Sequence, residues 1–367
     1  MKKLIYPVAT LSGTIVGVGL FALPYAASKV GMPLIAGWFG ILGALAILVH
    51  LFYGEVALKT PDYRRFPGFA QHFFGNKGKK IALITTIGGL LGAILAYLII
   101  GGEFLTQIFQ PYFGKGEIFY ALVYFLIGAI FIFLGIKAIA KIEFWGLVGF
   151  LLILLGIFFR GLPHFKISNL FPEPNISQIF LPYGVILFSL WGAALIPEVE
   201  EMLGKEKKLL GKVVFISLLV AIFIYLFFTI TVLGITGPAT TPSALPGLKS
   251  FLGDGIVVLT LFFGLLTTFT SFISLGLTLK RVLSFDLGIS EVKSWAITCF
   301  GPFFLYFLGV KNFVSLISFL GAVFLGIDGI LILLMYKKIK PKKGKIALLL
   351  SLIFLAGIAY EIVYFLK

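Results

Sequence analysis

Charge is what this chain has least of. Only 12% of its 367 residues are Asp, Glu, Lys or Arg, whereas 60% are apolar and 16% aromatic. A soluble domain carries roughly twice that charged share, so too little polar surface exists to cover a water-soluble particle. Cysteine is scarcer still: Cys299 stands alone, which excludes a disulfide within the chain. The three histidines, His50, His72 and His164, are too scattered to suggest a metal-ligand cluster. Nothing implies redox or metal chemistry. No deep His, Cys or paired-carboxylate constellation supports an intramembrane enzyme.

What the chain has instead is long uncharged runs, at 4–28, 30–54, 81–102, 213–248 and 256–279. Each exceeds the ~20 residues that carry a helix across ~30 Å of hydrocarbon, and none alternates as a barrel strand does. The expected class is an all-α polytopic membrane protein. Polar, proline-rich and basic breaks place spans 1 to 11 at about 5–29, 33–58, 81–110, 118–137, 142–161, 179–203, 212–236, 254–280, 293–309, 312–336 and 346–366. The first run follows Lys2 and Lys3 but far exceeds a signal peptide's apolar core, so it reads as an uncleaved span.

The net charge of +15 would suggest nucleic acid in a soluble chain. Here the basic residues sit between spans, where they set orientation. With the N-terminus cytoplasmic, 23 of the 30 Lys and Arg fall at that terminus and in the 59–80, 137–141, 205–212, 280–293 and 337–345 connections. Eleven crossings then put the C-terminus outside, and a plasma (inner) membrane is expected. The run from Lys337 to Lys343 is read as a topology anchor. The proline-bearing connections 162–178 and 237–253 fall on the other side, where they would fold over an outer vestibule.

Span 1 concentrates helix-weakening residues at mid-depth: Ser12-Gly13-Thr14-Ile15-Val16-Gly17-Val18-Gly19-Leu20-Phe21-Ala22-Leu23-Pro24. A second weak point follows about 175 residues on, in Phe188-Ser189-Leu190-Trp191-Gly192 and Pro197. Two interrupted spans at matching places in two halves point to a transporter built from inverted repeats. The expected units are 1–161, 162–336 and an accessory 337–367, giving a 5+5 inverted repeat plus one helix. Free amides at one half-helix end hold a carboxylate, and free carbonyls at the other ligate a cation. The α-carboxylate of an amino acid is expected on the amides of Gly17, Val18 and Gly19, and its α-ammonium on carbonyls near Phe188 and Ser189.

At these residues the sequence resembles the amino acid–polyamine–organocation superfamily, most closely its amino acid/auxin permease branch. The glycine stretch from Gly13 to Pro24 is similar to that superfamily's first-span motif, and Phe188 to Gly192 followed by Pro197-Glu198-Val199 to its sixth span. The resemblance implies the fold of the bacterial leucine transporter and amino acid uptake driven by Na⁺ or H⁺. It further implies that Ser12, Gly13, Thr14, Gly17 and Gly19 line the substrate site, that Phe188 is an aromatic lid, and that Trp191 narrows the side-chain pocket beside Gly192. It also implies a Na⁺ site formed by Gly13, Val16, Thr267, Thr270 and Ser271.

Independently of the resemblance, Thr267, Thr270, Ser271, Ser274 and Thr278 place a hydroxyl stripe on one face of span 8. In some proton-coupled members of the superfamily the chain resembles, a span 5 lysine replaces the ion; the interior of span 5 here, from Phe144 to Phe159, holds no charge, so the resemblance favours Na⁺ over H⁺. Were protons used, the deep carboxylates Glu103 and Asp328 are the candidate carriers. Tyr97 on span 3 is placed to reach the substrate carboxylate with its hydroxyl. The expected substrate is a neutral, apolar or aromatic amino acid, with the lipid bilayer as surroundings and no oligomer implied. The competing classes are a non-transporting amino acid sensor, which shares the same binding site, and a channel, which would show a continuous polar pore.

Overall fold

A computed structural model describes residues 2–60, 65–135 and 139–365. Arg64, Lys137 and Lys367, which enter the charge argument, lie outside the described residues. Every regular element among those described is helical, as lipid requires of uncharged runs that must pair their own backbone groups.

Span 1 is two helices: Lys2–Ile15, then a 3₁₀ turn Val18–Ala22 that leads into Leu23–Val30, with a bend of 49° at the break. Span 2 is Met32–Lys59. Span 3 lies within Phe66–Phe113, whose first turns replace the expected loop and are set off by a kink at Gly75, where φ is +65°. Spans 4 and 5 are Glu117–Leu134 and Ile139–Gly161. Span 6 is again interrupted, as Leu181–Ser189 and Ile196–Leu203, while span 7 runs unbroken over Leu210–Thr236. Span 8 is Asp254–Arg281 and span 9 Glu291–Phe307. Span 10 joins Phe313–Phe319 to Leu325–Ile339 through a π-turn, Leu320–Phe324, and span 11 is Gly344–Phe365.

By length and composition alone, seven described helices can cross a membrane, eight with the bent pair of span 1. The sequence expectation is eleven. The difference arises because span 6 is split and merges with span 7, span 9 is only 17 residues long, and the apolar part of span 5 is short.

Several of the packing contacts recur with a shift of five spans. Span 1 packs on span 7 and span 6 on span 2; span 3 packs on spans 4, 9 and 10, and span 8 on spans 9, 4 and 5. Spans 3 and 8, counterparts under that shift, share the most extensive contact. The 237–253 connection turns inward: Ser243, Ala244, Leu245 and Leu248 are buried, and Ser243 donates to Glu103 of span 3 at 2.6 Å.

Candidate substrate and cation site

The break in span 1 follows from how its backbone groups are redirected. The last regular bond runs from Val16 N–H to Ser12 at 2.9 Å; Gly17 N–H then turns back to the Ile15 carbonyl at 2.8 Å. Val18 N–H donates to the Tyr97 hydroxyl at 3.2 Å, and Leu20 N–H restarts the turn on Gly17. A continuous helix would have sent those three amides to Gly13, Thr14 and Val16. These three carbonyls are therefore released from their helical donors. Gly17 is required by close approach, since a Cβ there would lie 2.6 Å from the Tyr97 hydroxyl; one on Gly19 would collide with Ser189.

Span 6 breaks differently. Leu190 N–H still bonds Ile186, and Trp191 N–H reaches Phe188 at 3.3 Å. Gly192 N–H leaves the helix altogether and donates to Nε2 of His50 on span 2, at 2.9 Å. His50 Nδ1 lies 2.7 Å from the Ala46 carbonyl, which accepts its proton and so fixes the tautomer that leaves Nε2 free to accept. The Tyr225 hydroxyl of span 7 sits 2.5 Å from the Ile15 carbonyl and 2.8 Å from the Ser189 carbonyl. One phenolic proton serves two carbonyls, each ending the first half of a broken span, and ties the breaks together.

A small cleft of about 20 Å³, room for a water molecule, lies beside the span 1 break. Its walls are Val16, Gly17 and Val18, the Tyr97 ring, the apolar Leu20, Phe21 and Phe150, and the hydroxyl residues Thr267, Thr268 and Ser271. Phe21 and Phe150 meet edge to face with centroids 5.8 Å apart and extend into Phe104 and Phe228. The cleft thus joins a polar backbone corner to an aromatic wall and a row of hydroxyls. The Thr267 and Thr268 protons are donated to the Gly264 and Leu265 carbonyls of their own helix, which leaves oxygen lone pairs as the groups these residues can offer a cation.

The structure divides the sequence-derived set. Val16, Gly17, Val18, Tyr97, Thr267 and Ser271 come together at the cleft, with Gly19 one residue beyond. Ser12 and Gly13 lie on the helical half before the break, and Thr14 is exposed with its hydroxyl on the Thr10 carbonyl and does not line this cleft. Phe188, Ser189, Trp191 and Gly192 do not line this cleft either. Ser189 donates to Val185 and packs on Gly19, and Trp191 turns its ring to His50 at 5.3 Å and Phe354 at 6.4 Å. It therefore does not narrow the cleft. Thr270 is buried with its hydroxyl on the Thr267 carbonyl, and Thr268 takes the place at the wall. Glu103 bonds Ser243, and Asp328 accepts from Thr85 of span 3 at 2.5 Å.

His50, Tyr225, Phe150 and Thr268 were not singled out by sequence reasoning as site residues. A lone histidine deep in span 2 and a lone tyrosine deep in an uncharged span 7 carry the same signal as a deep carboxylate, namely a costly polar group that must have a partner.

Two interrupted helices crossing at mid-bundle, with a cleft at one interruption, are the arrangement of the leucine-transporter fold. The fold is similar to that of Mhp1, a nucleobase–cation symport-1 family transporter, in its inward-facing conformation (TM-score 0.73, 14% identity, 92% of this chain and 77% of that one). It is also similar to that of MhsT in complex with L-phenylalanine (TM-score 0.67, 14% identity, 97% of both chains). Residues 1–351 match the model of the tryptophan/tyrosine permease family, and the chain belongs to that family. It is 21% identical to Tyrosine-specific transport system 1 of Haemophilus influenzae over 88% of this chain and 85% of that protein. A 25% identity to Vacuolar amino acid transporter 2 of Saccharomyces cerevisiae covers 49% of this chain and 41% of that one. The protein is an integral membrane transporter and not an enzyme.

Proposed function

We propose that this protein imports an aromatic amino acid, tryptophan or tyrosine, by cation-coupled symport with alternating access. The observation that carries the reading is the cleft itself, where backbone amides, a phenol, an aromatic wall and a hydroxyl row converge. The substrate carboxylate takes the Val18 and Gly19 amides, displacing the Tyr97 hydroxyl from Val18 and drawing it onto the carboxylate as a donor. The cleft is too small for an aromatic ring as it stands, so in this reading the ring enters beside Phe21 and Phe150 as the bundle opens during alternating access, and their edge-to-face geometry suits a further aromatic partner.

The coupling ion in this reading is Na⁺, held by the released Gly13 and Val16 carbonyls with the Thr267 and Ser271 hydroxyls; neutral oxygens suit a hard cation. The alternative ion is H⁺, for which Glu103 and Asp328 remain the candidate carriers. Membership in the amino acid/auxin permease branch, a cytoplasmic N-terminus and a plasma-membrane location belong to the same proposal and rest on the motifs and the basic-residue imbalance.

Uptake of labelled tryptophan, tyrosine and phenylalanine into proteoliposomes under an inward Na⁺ gradient or a pH gradient tests it. Gradient-driven accumulation is expected for an aromatic substrate. Binding without accumulation and without counterflow would instead identify a sensor.

A further inference from the structure

His50 is fully buried, and both partners of its ring are backbone groups: the Ala46 carbonyl on its own helix and the Gly192 amide at the span 6 break. The second contact requires a neutral ring with its lone pair on Nε2. A proton added at Nε2 turns that acceptor into a donor facing another donor. Gly192 N–H then loses its partner in a low-dielectric interior, where an unpaired amide is costly. The break cannot keep this geometry while His50 is charged.

Span 2 packs against spans 6, 7 and 10 and the second half of span 1. The titratable and charged groups on those elements have other partners or lie elsewhere along them. Tyr225 of span 7 ends on the break carbonyls, with Lys212 at that span's start. Glu200 of span 6 pairs with Lys207 at 2.8 Å, and Glu198 stands two residues before it. Asp328 of span 10 bonds Thr85, Tyr336 stacks on Phe52, and Lys29 lies over Tyr25 near the end of span 1. On span 2 itself, Tyr53 is three residues on, and Glu55 pairs with Lys340. Among the described residues, none of these groups bonds to His50.

We propose that His50 is a proton-responsive positioning residue for the substrate site, holding the span 6 break in its ligand-binding shape only while neutral. The linkage runs through Gly192 to Ser189, which packs on Gly19 of the span 1 break. Protonation therefore weakens substrate binding, and substrate binding expels the proton. The proposal deepens the reading of this protein as an aromatic amino acid transporter and rests on it for the ligand.

The test has one arm with ligand and one without. Binding of labelled tryptophan and tyrosine to the purified full chain is measured from about pH 8 down to about pH 3.5, a range that spans both exposed and fully buried imidazoles. Affinity is expected to fall about tenfold from the neutral to the acid end, the scale of one buried hydrogen bond. His50→Gln keeps an acceptor but no titration, so it should bind as the parent does at neutral pH with a flat profile; His50→Leu should bind weakly throughout. In the second arm, Trp191 is kept as the sole tryptophan by Trp38→Phe, Trp145→Phe and Trp295→Phe. A charged imidazole beside the indole quenches its fluorescence, so emission should titrate over the same range and cease to do so on adding His50→Gln. A flat parent profile, or a slope that survives His50→Gln, overturns the proposal. If no aromatic amino acid binds at any pH, the functional reading fails, and the fluorescence titration alone decides the role of His50.

Discussion

The interruptions in spans 1 and 6 arise from similar sequence but end in opposite conditions. In span 1 the carbonyls of Gly13, Thr14 and Val16 lose their helical donors, Val16 borders a cleft, and the Val18 amide is held by a side-chain phenol. In span 6 the Gly192 amide is taken by His50, the Ser189 carbonyl meets Tyr225, and no residue of the break reaches the cleft. Backbone groups freed inside a bilayer must find partners, because each left bare costs several kcal/mol. Where the protein supplies fixed partners the break is structural; where it supplies replaceable ones the break can bind. A helix interruption is thus not itself a site, and the question at each is what holds the freed groups.

The largest expected effect breaks the comparison on the span 1 side. Gly17→Val puts a branched side chain where a Cβ already lies 2.6 Å from the Tyr97 hydroxyl. Tryptophan or tyrosine binding should fall more than about 100-fold, since the β-branch both fills the corner and restricts its backbone. The folded protein should still elute as a single species on size exclusion. Retained binding would show that the cleft is not the substrate seat. Next is Tyr225→Phe, which removes the hydroxyl shared by Ile15 and Ser189. One buried partner lost should lower stability by about 1–3 kcal/mol, read as a fall in melting temperature that saturating substrate partly restores. An unchanged melting temperature would mean that the two breaks hold their register without that tie.

Much of this contrast is legible in the sequence, and for a clear reason. Glycine, proline and hydroxyl residues clustered mid-span weaken a helix locally, so the positions of both breaks follow from neighbours within a few residues. The hydroxyl face of span 8 follows from helical period alone. The partners of the freed groups do not: His50 meets Gly192 across 142 positions, and Tyr225 meets Ile15 across 210. Such pairings depend on tertiary packing, which a single sequence does not encode by spacing. The same limit explains Trp191, whose place beside Gly192 suggests a pocket wall while packing turns it to His50 and Phe354.

The smallest effects sharpen the comparison within span 8, whose hydroxyls face the span 1 break. Ser271 lines the cleft, so Ser271→Ala should raise the Na⁺ concentration for half-maximal uptake about tenfold, the loss of one ligand-strength contact. Thr270 is the adjacent residue and the one that family resemblance pairs with it. Its hydroxyl is buried and donated to the Thr267 carbonyl at 3.0 Å, a local bond of the kind common in membrane helices. Removing it leaves an acceptor that a helical amide can still satisfy and takes nothing from the cleft wall. Thr270→Ala should therefore change Na⁺ dependence less than about twofold, within the scatter of local hydroxyl deletions. Equal losses in the two variants would place the ion between both hydroxyls, deeper than the cleft. Equal indifference would remove Na⁺ from span 8 and leave the proton-linked groups as the means of coupling.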